Sequence, residues 1–268
     1  MRPAWLCIAS VAFQLWVATT YPAVAGEYVR DQSTVNVGKA RETWRLVWNE
    51  APRPFCAVED AEMSLTCPCS GWAFGETGKL SLVRSRGDRE VERLELGHLF
   101  GDYDYPIDQA RTGEAYLPRW PARLRDIGRS GDPNLVSEVK RRPPVKILRA
   151  EDYDRDGVAS EFLIQVGTLP CGKHQFAAVG VSKREPRLHA FSSVAHPDRA
   201  LVMPLNAWRA LLAKGEPKPV VIWECDDHGS DLRSELTVSA HNGRIRAVDR
   251  DYACHGTGAG HLVKTTTW

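Results

Sequence analysis

The stretch ELTVSAHNGRIRAV, residues 235–248, carries the clearest fold signal in the sequence. Apolar and polar residues alternate in its two halves, which is the period-two pattern of a strand with one buried face. Between the halves lies Asn242-Gly243, a pair typical of a two-residue turn because both residues tolerate a positive φ. The stretch therefore predicts two antiparallel strands joined by a tight turn.

Other short apolar runs extend this pattern over much of the chain. The strand-like runs are residues 44–48, 79–84, 90–96, 145–148, 162–166, 176–181, 188–191 and 220–223. Residues 205–212 instead have helical spacing and end before Gly215. We therefore predict an α+β, mainly β protein with antiparallel sheets, one short helix near residues 204–214 and disulfide staples.

Differences in composition and in hydrophobic periodicity divide the chain into five regions. More than ~15 residues without periodic structure are uncommon inside a compact domain, so the proline-containing stretch in the middle favours a boundary. The regions are a signal peptide at 1–25, an N-terminal β-rich region at 26–100, an irregular connection at 101–143, a C-terminal β-rich domain at 144–256 and a mobile tail at 257–268.

The beginning of the chain has the pattern of a secretory signal peptide. Arg2 precedes an apolar run at residues 5–18, and Ala23-Val24-Ala25 matches the small-x-small pattern that signal peptidase accepts. The apolar run is shorter than the ~20 residues that a spanning helix needs, so cleavage before Gly26 is favoured over a retained anchor. We therefore expect an exported protein, periplasmic or extracellular.

The charge balance excludes partners that bind mainly through charge. The chain has 35 Lys and Arg against 34 Asp and Glu, and removal of Arg2 with the leader leaves 34 of each. A neutral chain has no global field that would attract nucleic acid or an anionic membrane. No other apolar stretch approaches membrane length, so we expect neither a nucleic-acid partner nor a membrane span in the mature chain.

Cysteine usage agrees with export and predicts disulfides. Of seven cysteines Cys7 lies in the leader, and an even number remains, as expected for pairing in an oxidising compartment. Cys225 and Cys254 form the favoured pair, since each ends a strand-like run and two strand ends at one rim of a sheet can be bridged. The alternative is a zinc site that combines these two thiols with His228 and His255. The other cysteines are Cys56, Cys67, Cys69 and Cys171.

The stretch EDYDRDG, residues 151–157, predicts a cation site. Three carboxylates at alternate positions repel one another unless a cation lies between them. Ca²⁺ takes six to eight oxygen ligands, which a curled D-x-D-x-D-G loop supplies, and Gly157 allows the sharp turn. The predicted ligands are Asp152, Asp154, Asp156, the Val158 carbonyl and Glu161. The alternative is a solvated acidic turn without an ion, since Asp and Gly are ordinary turn residues.

The residues after the glycine distinguish two kinds of calcium loop. An EF-hand places a bidentate glutamate at position 12, which is Leu163 here, and a strand-like run follows in place of a helix. The stretch resembles the calcium loops of FG-GAP/VCBS-type repeats in secreted bacterial proteins, in which D-x-D-x-D-G leads straight into a strand. Those repeats carry an acid at position 9; here position 9 is Ser160, and a one-residue bulge is needed to bring Glu161 to the ion. The resemblance covers the loop alone and implies a structural or adhesive role.

Asp226, Asp227 and His228 form the densest cluster of acids and imidazole in the sequence. A carboxylate can fix the tautomer of a histidine that titrates near neutrality, so the cluster is a candidate general-base or metal-assisted site. No nucleophile elbow, zincin motif or P-loop accompanies it. Two hypotheses follow: an exported, calcium-braced binding or structural protein without evident catalytic machinery, and an exported hydrolase that uses this cluster.

Three tryptophans suggest a class of ligand for the first hypothesis. Trp44, Trp48 and Trp72 could line a carbohydrate-binding face, and Trp44 and Trp48 share one face of a strand. Packing in the core is the favoured alternative, because aromatic side chains dominate core burial. The unknown ligand is then a carbohydrate or a protein.

Overall fold

The computed structural model describes residues 26–55, 75–100, 113–118, 146–169, 173–256 and 258–268. The predicted signal peptide at 1–25, Trp72 and most of the predicted connection at 101–143 lie outside the described residues. Four predicted disulfide cysteines also lie outside them, namely Cys56, Cys67, Cys69 and Cys171. The predictions for these segments stay predictions.

Antiparallel strands build most of the described chain, with one α-helix among the described residues, so the predicted fold class is confirmed. The strands are β1 Tyr28–Val37, β2 Ala40–Trp48, β3 Arg53–Phe55, β4 Gly75–Gly78, β5 Leu80–Arg86, β6 Arg89–Glu95, β7 Ala115–Pro118, β8 Glu161–Leu169, β9 Lys173–Gly180, β10 His189–Ala190, β11 Val202–Pro204, β12 Val220–Trp223, β13 Leu232–His241, β14 Arg244–His255 and β15 Gly258–Thr267. The helix is α1 Leu205–Leu212, and short 3₁₀ turns occupy Gly97–Leu99 and Asp227–Gly229.

The N-terminal sheet has the strand order β1-β2-β5-β6. Every second residue of β2 points into the core, as the alternation predicts, and Trp44 and Trp48 are 0% and 1% exposed. Both indole N–H groups donate to buried carboxylates, Trp44 to Glu42 and Trp48 to Glu76. These two tryptophans therefore pack in the core and are not available to line a carbohydrate-binding face.

A three-stranded sheet of order β3-β4-β7 takes one strand, β7, from the region predicted as irregular. Residues Ala115–Pro118 pair with β4 in the register Glu76 opposite Leu117. The expectation of an irregular connection is therefore wrong for this short segment. Four residues are too few to show a period, so tertiary pairing and not local pattern decides the strand.

The third sheet contains β8, β9, β10 and β11, with β9 at its centre. The run at 145–148, predicted as a strand, does not form one in the described residues 146–148. The side chain of Asp31 accepts hydrogen bonds from the Ile147 and Leu148 amides, at 2.7 and 2.9 Å. Because this carboxylate satisfies the backbone, no partner strand is needed.

The C-terminal sheet has the order β12-β13-β14-β15 and confirms the predicted hairpin. His241 pairs with Arg244, and the turn residues Asn242 and Gly243 have φ values of 49° and 74°. The prediction of a mobile tail at 257–268 is wrong, since Gly258–Thr267 pairs with β14 as an edge strand. Most of its side chains are exposed, so backbone pairing places it without any apolar pattern in the sequence.

Two apolar clusters hold these sheets together. The larger cluster combines residues of the predicted N-terminal and C-terminal regions, and the rings of Trp44 and Phe162 lie 5.4 Å apart within it. The smaller cluster packs α1, through Trp208, against β13 and β14. No helix in the described part of the chain is long and apolar enough to cross a membrane.

The disulfide predicted between Cys225 and Cys254 is confirmed, with the two Cα atoms 5.6 Å apart. It ties the segment after β12 to the end of β14. Both thiols are used in this bond, so the alternative zinc site with His228 and His255 is not formed.

Replacing both Cys225 and Cys254 with alanine is expected to destabilise the protein by about 2–4 kcal/mol, because the bond restricts the unfolded chain over a separation of 29 residues. Chemical denaturation of the oxidised wild type and of the double variant measures the loss. Equal unfolding midpoints and slopes would contradict the expectation.

Candidate metal centre

The acidic loop at residues 152–160 is closed at its neck by two backbone hydrogen bonds. Glu151 and Glu161 exchange these bonds at 3.0 and 3.1 Å, and Glu161 is the first residue of β8. The two ends of the loop therefore lie side by side, as in a compact surface loop. Its conformation does not depend on spanning a gap between two separate strands.

Aspartate side chains fold the loop through local hydrogen bonds to backbone amides. Asp152 accepts from the Asp156 and Gly157 amides at 3.0 Å each, and Asp156 accepts from the Val158 amide at 2.8 Å. Gly157 has a φ of 88°, which favours glycine, so the turn is built where the sequence predicts it.

Three carboxylates converge in the loop, those of Asp152, Asp154 and Glu161. One oxygen of each lies within 4.8 Å of the others. Asp154 and Glu161 are both 0% exposed, and the Oδ2 atom of Asp154 has no hydrogen-bond partner among the described residues. Glu161 accepts from the Tyr153 amide at 2.6 Å and from the Ser160 hydroxyl at 3.1 Å. A cation of suitable size can therefore be held by oxygens from three side chains.

The electrostatics of this group oppose ionisation when no cation is bound. Burial, followed by the neighbouring charges of Asp156 and Asp152, raises the pKa of Asp154 to about 7. Burial and the charge of Asp154 raise the pKa of Glu161 to about 8, against the opposing hydrogen bond from the Tyr153 amide. Two adjacent carboxyls thus lose their water without gaining a neutralising partner.

Glu42, another buried acid, differs from Asp154 and Glu161 because cationic side chains neutralise its carboxylate. Glu42 is 1% exposed, and its oxygens bind Arg84 at 2.7 Å, Arg86 at 2.8 Å and the Trp44 indole at 3.1 Å. Among the described residues, neither Asp154 nor Glu161 forms an ion pair with Lys or Arg. Asp154 and Glu161 therefore lack, among the described residues, the cationic partners that neutralise the buried Glu42.

The structure brings together three of the predicted ligands. Asp152, Asp154 and Glu161 form the group, and Glu161 reaches it from the first position of β8. Asp156 lies outside the group, because its carboxylate accepts from the Val158 amide and from the Lys183 amide at 2.5 Å. Its role as a ligand, and that of the Val158 carbonyl, stay predictions.

Neighbouring elements hold the loop through contacts that the sequence did not indicate. Lys183 also donates its Nζ to the Asp156 carbonyl, and Arg155 donates to the Leu211 and Ala213 carbonyls at the end of α1. The Gly243 amide donates to the Asp154 carbonyl at 3.0 Å. The loop is therefore connected to α1, to the segment after β9 and to the β13–β14 hairpin.

Gly243 has a second role besides the turn. A Cβ atom at this position would lie 2.7 Å from Cδ of Arg184 and 3.4 Å from Oδ2 of Asp154. The hairpin tip therefore lies against the buried carboxylate, while the φ of 74° and the nearby Arg184 side chain favour glycine at this position. The Asn-Gly pair is visible in the sequence, but its position over Asp154 depends on how the sheets pack.

The structure describes two of the three residues of the predicted catalytic cluster with their side chains, Asp226 and Asp227. Asp227 forms an ion pair with Lys173, whose Nζ also lies 3.5 Å from the centre of the Trp223 ring. Asp226 is exposed and has a left-handed backbone, with φ 64°. The side chain of His228 lies outside what the structure describes. Asp226 and Asp227 thus lie in a surface turn, and the hydrolytic role predicted for this cluster stays a prediction.

A scan against protein-family models and searches of curated proteins and of solved structures found no match to the chain. The resemblance to FG-GAP/VCBS-type calcium loops therefore rests on the loop residues alone.

Proposed function

We propose that the chain is an exported structural or binding protein whose fold is braced by Ca²⁺ at Asp152, Asp154 and Glu161. The observation that carries the proposal is the fully buried Oδ2 atom of Asp154, which has no partner among the described residues and lies beside two further carboxylates. The Cys225–Cys254 disulfide agrees with export, since such bonds persist in oxidising compartments.

The donor set favours calcium over other common cations. All three groups are carboxylates, which are hard oxygen ligands, and the group contains no cysteine or histidine that would favour zinc or copper. Mg²⁺ demands near-ideal octahedral geometry and keeps several waters, whereas Ca²⁺ accepts irregular oxygen cages. A group that is largely removed from water therefore suits Ca²⁺ better.

The position of the group supports a structural role for the ion. Asp154 and Glu161 are fully buried, so a substrate has no access to these two ligands. The loop backbone contacts α1 through Arg155 and the β13–β14 hairpin through Gly243. Neutralising the carboxylates would therefore stabilise the junction of several elements, as expected for a brace and not for a catalytic metal.

Isothermal titration calorimetry with Ca²⁺ and with Mg²⁺ tests the proposal on metal-depleted protein. We expect one calcium site per chain, with at least ~10-fold weaker binding of Mg²⁺. Glu161→Gln removes one ligand charge and should weaken calcium binding at least ~10-fold. Glu151→Gln is the matched control, because Glu151 is exposed, stands at the opposite side of the loop neck and lies outside the acidic group. Absence of calcium binding, or equal losses in the two variants, would contradict the proposal.

A further inference from the structure

A groove lies between α1 and the β8–β9 hairpin. It consists of two cavities of about 460 and 300 Å³, which share Phe176, Leu205 and Arg209 as lining residues. Gln165 lines one cavity and His174 the other, and their side chains are hydrogen-bonded to each other at 2.7 Å. Cavities of this volume are in the range that holds small organic ligands.

The rim of the groove is positively charged. Lys146, Arg149 and Arg209 line the smaller cavity and are exposed, and none of them forms an ion pair with a described residue. Glu151 is the one acid among the lining residues of the two cavities. In a chain with nearly equal numbers of acidic and basic residues, this local excess of cations favours an anionic ligand.

The floor of the groove is apolar. Leu163, Phe176, Leu205 and Ile222 line it, and each is only partly buried. Exposed apolar surface beside fixed cations fits a ligand that has an apolar body and a charged end. A purely ionic ligand such as phosphate would leave this apolar surface in water.

The first turn of α1 adds to the positive potential at the larger cavity. Leu205 and Asn206 line that cavity, and the N-cap residue Pro204 supplies no side-chain hydrogen bond to the first amides. The Asn206 side chain accepts from the Ala207 amide at 3.0 Å, and the partial positive charge of the helix start favours negative charge nearby. Arg209 lies one turn further along and faces both cavities.

We propose that this groove binds a small amphiphilic carboxylate, with the carboxylate held by Arg149 and Arg209 and the hydrocarbon part lying on Phe176 and Leu205. The inference goes beyond the proposed calcium site and does not depend on it, because none of the three converging carboxylates lines the groove.

Calorimetric titration of the full chain with decanoate, at concentrations below micelle formation, tests this inference. Decanoate should bind, whereas acetate, which lacks the apolar body, and decanol, which lacks the charge, should each bind at least ~10-fold more weakly. The double variant Arg149→Gln/Arg209→Gln should lose at least ~10-fold in decanoate affinity.

The matched control is Arg41→Gln/Arg187→Gln, which removes two exposed arginines outside the groove. It should bind decanoate like the wild type. All four substitutions are at exposed positions, and equal melting temperatures of the variants will show that folding is intact. Absence of decanoate binding, equal binding of decanol, or an equal loss in the control would overturn the inference.

Discussion

Asp154→Asn is expected to abolish the response to calcium and to make the metal-free protein more stable than the wild type. The substitution keeps the shape of the side chain but removes a buried negative charge that lies beside Asp152 and Glu161. Without metal this removes electrostatic repulsion, and the new amide can donate to a neighbouring carboxylate. With calcium present the variant lacks an essential charge, so wild type should be the more stable of the two.

The order of stability of wild type and Asp154→Asn should therefore reverse between chelator and excess Ca²⁺. This reversal distinguishes a cation site from an ordinary acidic turn. Thermal unfolding of both proteins, each with excess Ca²⁺ and with a chelator, measures it at pH 8. A gain or loss of 1 kcal/mol corresponds to about 2–4 °C for a chain of this length. If the Asp154→Asn variant were less stable than the wild type in chelator, the Asp154 carboxylate would have a favourable partner within the protein, which would contradict the prediction.

Asp156→Asn separates the observed group from the ligand set predicted from sequence. Its carboxylate bonds to the Val158 and Lys183 amides and lies outside the converging group. We expect this variant to lose part of the loop's rigidity but to keep a measurable calcium response. A loss of response as complete as in Asp154→Asn would place Asp156 among the essential ligands.

The stability of the metal-free protein should fall as the pH rises from 5.5 to 8.5. The pKa of Asp154 rises from 3.8 to about 7 on folding, and that of Glu161 from 4.5 to about 8. For an acid whose pKa is higher in the folded state, the stabilisation is full below the unfolded pKa. It is lost as the pH rises from the unfolded to the folded pKa, because the carboxyl ionises in the unfolded chain while burial keeps it protonated in the folded state.

The expected loss is large for a single site. Each group contributes up to about 1.4 kcal/mol per pH unit within its window, so several kcal/mol are lost across the range. Excess Ca²⁺ should remove this dependence, because the ion binds the ionised carboxylates and its affinity grows as they lose protons.

Comparison of wild type with Asp154→Asn/Glu161→Gln isolates the contribution of these two carboxyls from every other pH-dependent contribution to stability. Urea unfolding in chelator at several pH values gives the difference in free energy. The wild-type loss should exceed that of the double variant, whereas Glu151→Gln should follow the wild type. Parallel curves for wild type and double variant would contradict the raised pKa values.

The sequence predicts the structural elements that are determined by residues close to one another in the chain. Asn242-Gly243 requires positive φ at both positions, and the alternation on either side shows which face is buried, so the hairpin follows from 14 residues. The helix at Leu205–Leu212 follows from its apolar spacing and the glycine beyond it. The D-x-D-x-D-G pattern likewise identifies Asp152 and Asp154, because its turn hydrogen bonds lie within the loop.

The remainder depends on contacts between distant segments. Asp31 accepts hydrogen bonds from the backbone amides of residues 147 and 148, which lie 116 and 117 positions away, and no local pattern signals this. The edge strand Gly258–Thr267 has no buried residue, so its position comes from backbone pairing with β14. Glu161 is a clear acid in the sequence, but its full burial beside Asp154 results from the pairing of Glu151 with Glu161 at the loop neck.

The proposed calcium brace is tested most directly by the melting temperature of the wild-type protein in excess calcium and in chelator at pH 8. Calcium at 100 times its dissociation constant stabilises a folded protein by about 2.7 kcal/mol. For a chain of this length that corresponds to a rise of about 5–10 °C. The brace predicts such a rise in the wild type and none in Asp154→Asn, whereas equal melting temperatures of the wild type with and without calcium would contradict it.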